Sequence, residues 1–231
     1  MKAKKLYRFS ELKKMNNVFE YPDGILENGG IEQFKNKKIV LELACGKGEY
    51  AIGLAKEDKE RIFIGMDIKG NRIFVGAKKA LDEKIDNVFF VRNQIQWIEK
   101  YIEPKSVDEI WITFPDPFLR ESKERKRLTH TVFLHIYQRI LKPGGKINLK
   151  TDSPQLYQFT LEMIKENNCT IVENIDDVYK NGMPNYPLNI QTFYEKMHLE
   201  DKRTIHFVSF TLPEDEIKYP IKESKDEEAT V

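Results

Sequence analysis

The chain has 231 residues, 40% of them apolar and 32% charged, which is enough for one sizeable core with short terminal arms. Lys and Arg number 38 against 37 Asp and Glu, a formal net charge of +1, so any hold on a polyanion has to come from local patches. The two cysteines, Cys45 and Cys169, lie far apart, no apolar run reaches membrane-spanning length and no signal peptide is visible, which sets aside a disulfide scaffold and a membrane protein and points to a reducing, cytoplasmic setting.

Residues 1–30 are expected as a partly flexible N-terminal arm, since the first fourteen mix Lys, Arg, Leu, Tyr and Phe without clear periodicity. Residues 31–212 are expected as the folded domain, and 213–231 as a charged, frayed tail. Within the domain, strands and helices alternate. A buried strand is predicted over 38–43, a Gly-rich turn next, and a helix over about 48–56. A strand over 61–66 leads to a helix over 70–82, and a strand over 88–91 leads to a short helix over 94–101. A fourth strand is predicted over 107–113. Leu128, Val132, Ile136 and Ile140 then repeat every four residues as an amphipathic helix, stopped by Pro143-Gly144-Gly145 before a strand over 146–150. A helix over 153–166 has Ser153 as its N-cap and Pro154 in its first position, and two last strands fall at 170–174 and 204–211. Seven strands in this alternation make an α/β fold: a doubly wound, mostly parallel sheet with helices on both faces.

Glu42-Leu43-Ala44-Cys45-Gly46-Lys47-Gly48 joins the first strand to the first helix, where such sheets bind ligands. Gly46 and Gly48 let the backbone approach a ligand, and Asp67, ending the second strand 21 residues after Gly46, is placed to accept hydrogen bonds from a ribose diol. Two cofactors compete. Gly46-x-Gly48-x-x-Ala51 fits the dinucleotide pattern in its Ala variant. A carboxylate at Glu42 would instead repel a pyrophosphate and attract the sulfonium and ammonium of S-adenosylmethionine, which favours the latter. Glu42 could equally bind neighbouring backbone N–H groups, Cys45 reads as a small packing residue, and Asn93 reads either as an adenine contact or as a helix cap. The four histidines form no ligand pattern, so no metal is expected.

Phe114-Pro115-Asp116-Pro117 follows the fourth strand, with Arg120, Lys123, Arg125, Lys126 and Arg127 behind it. Two prolines keep the segment out of helix and ladder, so Asp116 is expected on a stiff loop at the sheet rim, beside cations suited to phosphate. Asp152, after the fifth strand, is expected at the same rim as Glu42, Asp67 and Asp116. The competing structural readings are an Asx turn for Asp116, a helix N-terminal contact for Asp152 and a solvated face for the basic run.

In this order, Phe114-Pro-Asp-Pro-Phe, the basic run, Leu141-Lys-Pro-Gly-Gly, Lys150-Thr-Asp152 and Thr192-Phe-Tyr-Glu195 resemble the bacterial tRNA (guanine-N7)-methyltransferases of the TrmB type, over about residues 38–211. The resemblance implies a Rossmann-like class I methyltransferase fold that moves a methyl group from S-adenosylmethionine to N7 of guanine 46 in the tRNA variable loop. It implies that Glu42, Asp67, Asn93 and Asp116 line the cofactor pocket, to which the glycine turn adds Gly46 and Gly48; Asp116, or alternatively Asp152, is expected as the catalytic carboxylate that steadies the charge growing on the guanine ring. The target nucleotide falls to Arg120, Asp152, Thr192, Phe193, Tyr194 and Glu195, and RNA contact to Ser122, Lys123, Glu124, Arg125, Lys126 and Arg127. The expected protein is a monomer or homodimer. The family usually has Glu where Asp67 stands, Asp for Asn93, Trp for Phe118, Lys for Arg120 and Gly for Ala44. The rival readings are a nicotinamide-dependent oxidoreductase, for which no His or Tyr donor is expected beside the rim, and a non-catalytic RNA-binding protein.

Overall fold

The computed structural model describes residues 2–220, with side chains from Leu6 onward. Apolar runs without alternation become the central strands β2 (Ile39–Leu43), β3 (Ile62–Asp67), β4 (Val88–Arg92) and β5 (Val107–Thr113), buried on both faces as a parallel sheet requires. β6 (Leu141–Thr151), β7 (Thr170–Ile175) and β8 (His206–Thr211) complete the C-terminal half. An additional edge strand, β1 (Val18–Glu20), pairs with β4, so the sheet has eight strands rather than the expected seven, in the order β1-β4-β3-β2-β5-β6-β8-β7. All neighbours are parallel except β6–β8 and β7–β8. Strand order reverses between β2 and β5, so the loops after Leu43 and Thr113 open side by side.

Period-two alternation divides the core. Leu41, Ile64, Val91 and Ile112 face α4 (Thr131–Ile140) and α5 (Pro154–Glu166), while Val40, Phe63, Phe90 and Trp111 face α2 (Glu49–Glu57) and α3 (Gly70–Asp82). Ser153 caps α5 with Pro154 at its start, as its sequence predicts. α4 begins later than its apolar repeat suggests because His130 Nδ1 accepts the Val132 N–H as its cap. Pro143-Gly144-Gly145 does not separate α4 from the next strand. Ile140 ends the helix, Leu141 opens β6, and the register against β5 shifts across this stretch.

Residues 2–30 carry a helix, the short strand β1 and a 3-10 turn. α1 (Lys2–Leu12) packs on α3: Leu12 is buried, Arg8 Nη1 donates to Asn71 Oδ1 at 2.8 Å, and the Tyr7 and Phe74 rings meet edge-on at 6.5 Å. The side chains of Lys2, Lys4 and Lys5 lie outside the described residues. At the other end, residues 213–217 pack against α4. Gln138 Nε2 donates to the Pro213 and Asp215 carbonyls, and Ile217 is buried. Residues 221–231 lie outside the described residues. Among the described residues no helix is long and apolar enough to cross a membrane.

Candidate active site

The turn after β2 holds its shape at some strain. Ala44 has φ +55°, a left-handed conformation that a glycine would adopt freely. Gly48 has φ +64°, and a Cβ there would lie 2.4 Å from the Phe90 ring. Asp67, at the end of β3, ties this turn down: Oδ2 accepts the Gly46 N–H at 2.9 Å and Oδ1 the Lys69 N–H at 2.8 Å. Its oxygens thus order the loop first, and their second lone pairs remain for a ligand.

Glu42 lies beneath the turn, buried. Its Oε2 accepts the Ala51 N–H in the first turn of α2 at 2.8 Å, and its Oε1 accepts the Thr113 hydroxyl at 3.3 Å. Burial pushes its pKa up to about 8, so at neutral pH it carries a proton rather than the charge its position suggests. All four acids stand at the carboxyl ends of parallel strands, but in different surroundings. Asp67 and Asp116 line one cavity, Glu42 sits under it, and Asp152 is engaged by Arg203 at 2.9 Å and His198 at 3.5 Å.

That cavity, about 510 Å³, lies across the carboxyl ends of β3, β4 and β5. Asp67, Asn93, Asp116 and Lys126 contribute polar groups, and Ile68, Ile95, Leu128 and Phe133 supply an apolar wall. Asn93 Nδ2 donates to the Tyr101 hydroxyl at 2.9 Å and its Oδ1 accepts the adjacent Gln94 N–H, so it lines the cavity; the cap reading is corrected, because the short helix Ile95–Lys100 has Gln94 at its N-cap and no side-chain cap bond. Asp116 makes the Asx turn, Oδ1 accepting the Phe118 N–H at 3.0 Å, yet stays exposed in the cavity. Phe114 (φ +47°) and Phe118 (φ +43°) flank it in left-handed backbone, strain of the kind that collects at working sites. The donor set suits a cation with a ribose and an aromatic base. Glu42 takes one backbone N–H of the first α2 turn, a donor that a pyrophosphate would otherwise use, and the rim carries the acids Asp67 and Asp116 together with Lys69, Arg72 and Lys126.

A second space of about 120 Å³ adjoins the first through Ala44, Arg72 and Phe114, and is bounded by Gly46, Thr192, Phe193 and Tyr194. Phe193 and Tyr194 open α6 (Phe193–Glu200) and lie over the glycine turn: Lys47 Nζ stands 4.4 Å from the Phe193 ring, Arg72 Nη2 donates to the Tyr194 hydroxyl at 2.6 Å, and the Phe193 N–H donates to Glu49. Tyr194, with His198 behind it, therefore stands at a rim where no Tyr or His was expected.

Three expected nucleotide contacts, Asp152, Thr192 and Glu195, and two expected RNA contacts, Arg125 and Arg127, have partners within the protein. Thr192 and Glu195 form a capping box for α6, and Glu195 is fully buried against Lys150. Arg127 is buried, its Nε donating to the Pro117 and Phe118 carbonyls, with its guanidinium 4.3 Å from the Phe159 ring. It braces the Asp116 loop from a buried position. Arg125 donates to the Pro220 carbonyl. Arg120, Ser122 and Lys123 are exposed, Glu124 half-buried. Lys150 was missed as a site-building residue, although a lysine amid the apolar strand residues of β6 is itself a signal.

A family model described as a putative methyltransferase matches residues 36–208. The chain is 44% identical to a tRNA (guanine-N(7)-)-methyltransferase of Porphyromonas gingivalis over 88% of its own length and 87% of the relative's. It is 43% identical to one from Christiangramia forsetii, covering 90% and 97%. A SAM-dependent methyltransferase from Aquifex aeolicus superposes with a TM-score of 0.53 at 14% identity, covering 88% of this chain and 98% of that one, a likeness of fold alone.

Proposed function

The chain belongs to the tRNA (guanine-N(7)-)-methyltransferase family, and from that premise we propose how its own residues methylate a tRNA guanine. The cofactor is S-adenosylmethionine, which supplies an electrophilic methyl group. The proposed site is the cavity of Asp67, Asn93 and Asp116, and the proposed target is a variable-loop guanine. The observation that carries this reading is the Glu42–Ala51 hydrogen bond. It takes one of the backbone N–H groups at the helix N-terminus that a dinucleotide's phosphates would use, which weighs against a nicotinamide cofactor.

Guanine N7 has an in-plane lone pair and no proton to lose, so the chain needs no general base. Its residues work by alignment and electrostatics. Asp116, exposed and braced by Arg127, offers its free carboxylate oxygen to the guanine's N–H donors and to the positive charge growing on the ring. Arg120, Lys123 and Lys126 hold phosphates and carry no sequence readout.

The test is incubation of the protein with labelled S-adenosylmethionine and unmodified tRNA, followed by nucleoside mass spectrometry. Label in 7-methylguanosine within the variable loop is the expected result. Label in another nucleoside, or none, overturns the reading.

A further inference from the structure

Tyr21 and Trp97 are the feature that the reaction leaves unexplained. Tyr21 is 54% exposed and Trp97 41%, yet their rings pack edge to face at 5.4 Å. Lys100 Nζ lies 5.1 Å from the Trp97 ring centre and 6.0 Å from that of Tyr21. The cluster stands on the working edge of the sheet. Glu20 of β1 pairs with Arg92 of β4, so Tyr21 leaves the sheet beside Asn93, and Trp97 comes directly after the cavity-lining Gln94, Ile95 and Gln96. Across the cavity stands Lys126 of the basic segment. Glu20 and Glu99 are neutralised by Arg92 and Arg139, and Asp23 carries no ion pair among the described residues.

We propose that Tyr21 and Trp97, with Lys100 beside them, form a stacking platform for an unpaired base of the tRNA substrate; this rests on the tRNA reading above. Exposed aromatic faces with a cation at their edge are the chemistry by which proteins hold single-stranded nucleotides without reading sequence. The cavity lies between this platform and the basic segment, so RNA bound at both would cross the cavity mouth with its target base unpaired. A lone exposed aromatic needs no explanation. Two packed together under a lysine, adjoining the cavity, present a surface that an unpaired base fits and that water does not reward.

The experiment compares the full-length wild type with Tyr21→Ala/Trp97→Ala and Tyr21→Phe/Trp97→Phe. It measures Kd for an unmodified tRNA transcript, Kd for S-adenosylhomocysteine, thermal midpoint and sedimentation. The alanine pair should bind tRNA about tenfold or more weakly, with cofactor-product affinity and midpoint near wild type, and the phenylalanine pair should bind nearly normally. Because Trp111 is buried at 2% exposure and the chain has only two tryptophans, tRNA should quench Trp97 emission in the wild type. Wild-type methylation together with unchanged alanine-pair affinity sinks the platform alone. A change in sedimentation in place of tRNA affinity makes the patch a protein contact and overturns the proposal. Loss of S-adenosylhomocysteine binding makes it a prop of the cavity, with the same consequence. A wild type that methylates no tRNA sinks the underlying reading and the platform with it.

Discussion

Lys150 Nζ lies 2.5 Å from Glu195 Oε1 with both side chains fully buried, and this one ion pair fastens β6 to the start of α6. Lys150 also donates to the Leu188 carbonyl, the Tyr179 hydroxyl donates to Glu195 at 2.7 Å, and the Glu195 N–H donates to Thr192 Oγ1 at 3.1 Å. Burial pulls the Lys150 pKa down, so the pair depends on its partner's charge. The helix start it holds carries Phe193 and Tyr194 onto the glycine turn. Removing one charge strands the other, so Glu195→Gln should lose about 3–5 kcal/mol of unfolding free energy, and Lys150→Met/Glu195→Leu should regain much of that. Denaturant unfolding reads both. A wild-type unfolding midpoint with collapsed tRNA affinity in Glu195→Gln would make Glu195 a nucleotide contact instead.

The same residues show where sequence reading reaches and stops. The central strands were legible because both faces are buried and nothing interrupts the apolar run. β1 was not, since three residues flanked by polar ones carry no period, and α1 was not, because its helix is stabilised by packing on α3 rather than by its own pattern. Asp67, Asn93 and Asp116 were legible as strand-end residues, and strand ends are what the topology gathers. Thr192-x-x-Glu195 carries the capping-box spacing, and the family resemblance drew it toward the nucleotide. Arg127 could not be told from its solvated neighbours, because only the fold turns it inward.

Asp116 is held by one oxygen and offers the other, which lets charge be separated from shape. Asn at this position keeps an acceptor for the Phe118 N–H and removes the charge, whereas Ala removes both. Asp116→Asn should lose about a hundredfold or more in kcat while keeping S-adenosylhomocysteine affinity and folding stability close to wild type. Asp116→Ala should lose at least as much and also loosen the loop. Single-turnover methylation with titration calorimetry separates the two effects. Turnover at the wild-type rate in Asp116→Asn would remove the carboxylate from the chemistry.

Glu42 ties pH to both stability and cofactor binding. Its ordinary pKa of 4.5 applies to the unfolded chain, and burial raises it to about 8 in the folded one. Between those values the folded state keeps a proton that the unfolded state has released, so this group's contribution to stability is intact below 4.5 and is lost as pH rises to about 8. Glu42→Gln should flatten that decline in unfolding free energy. A cationic donor above Glu42 favours its ionised form, so binding of S-adenosylmethionine should release a proton near neutral pH and tighten toward pH 8. Calorimetry in two buffers of different ionisation enthalpy measures the release. Equal proton release in wild type and Glu42→Gln would assign it to another group.

The basic segment separates into two kinds of cation, and substitution should tell them apart. Arg120, Lys123 and Lys126 are exposed, so replacing all three with Gln should weaken tRNA binding and lower the slope of log Kd against log salt by about one for each phosphate no longer neutralised. Folding stability should stay within about 0.5 kcal/mol, as for other surface changes. Arg127 is bound to the Pro117 and Phe118 carbonyls and stacked on Phe159. Arg127→Gln should therefore leave the salt slope alone, cost about 1–3 kcal/mol of stability and slow methylation by releasing the Asp116 loop. Nitrocellulose filter binding across a salt series, with urea unfolding of the same variants, makes the comparison. A reduced salt slope in Arg127→Gln with unaltered stability would turn that side chain back toward RNA.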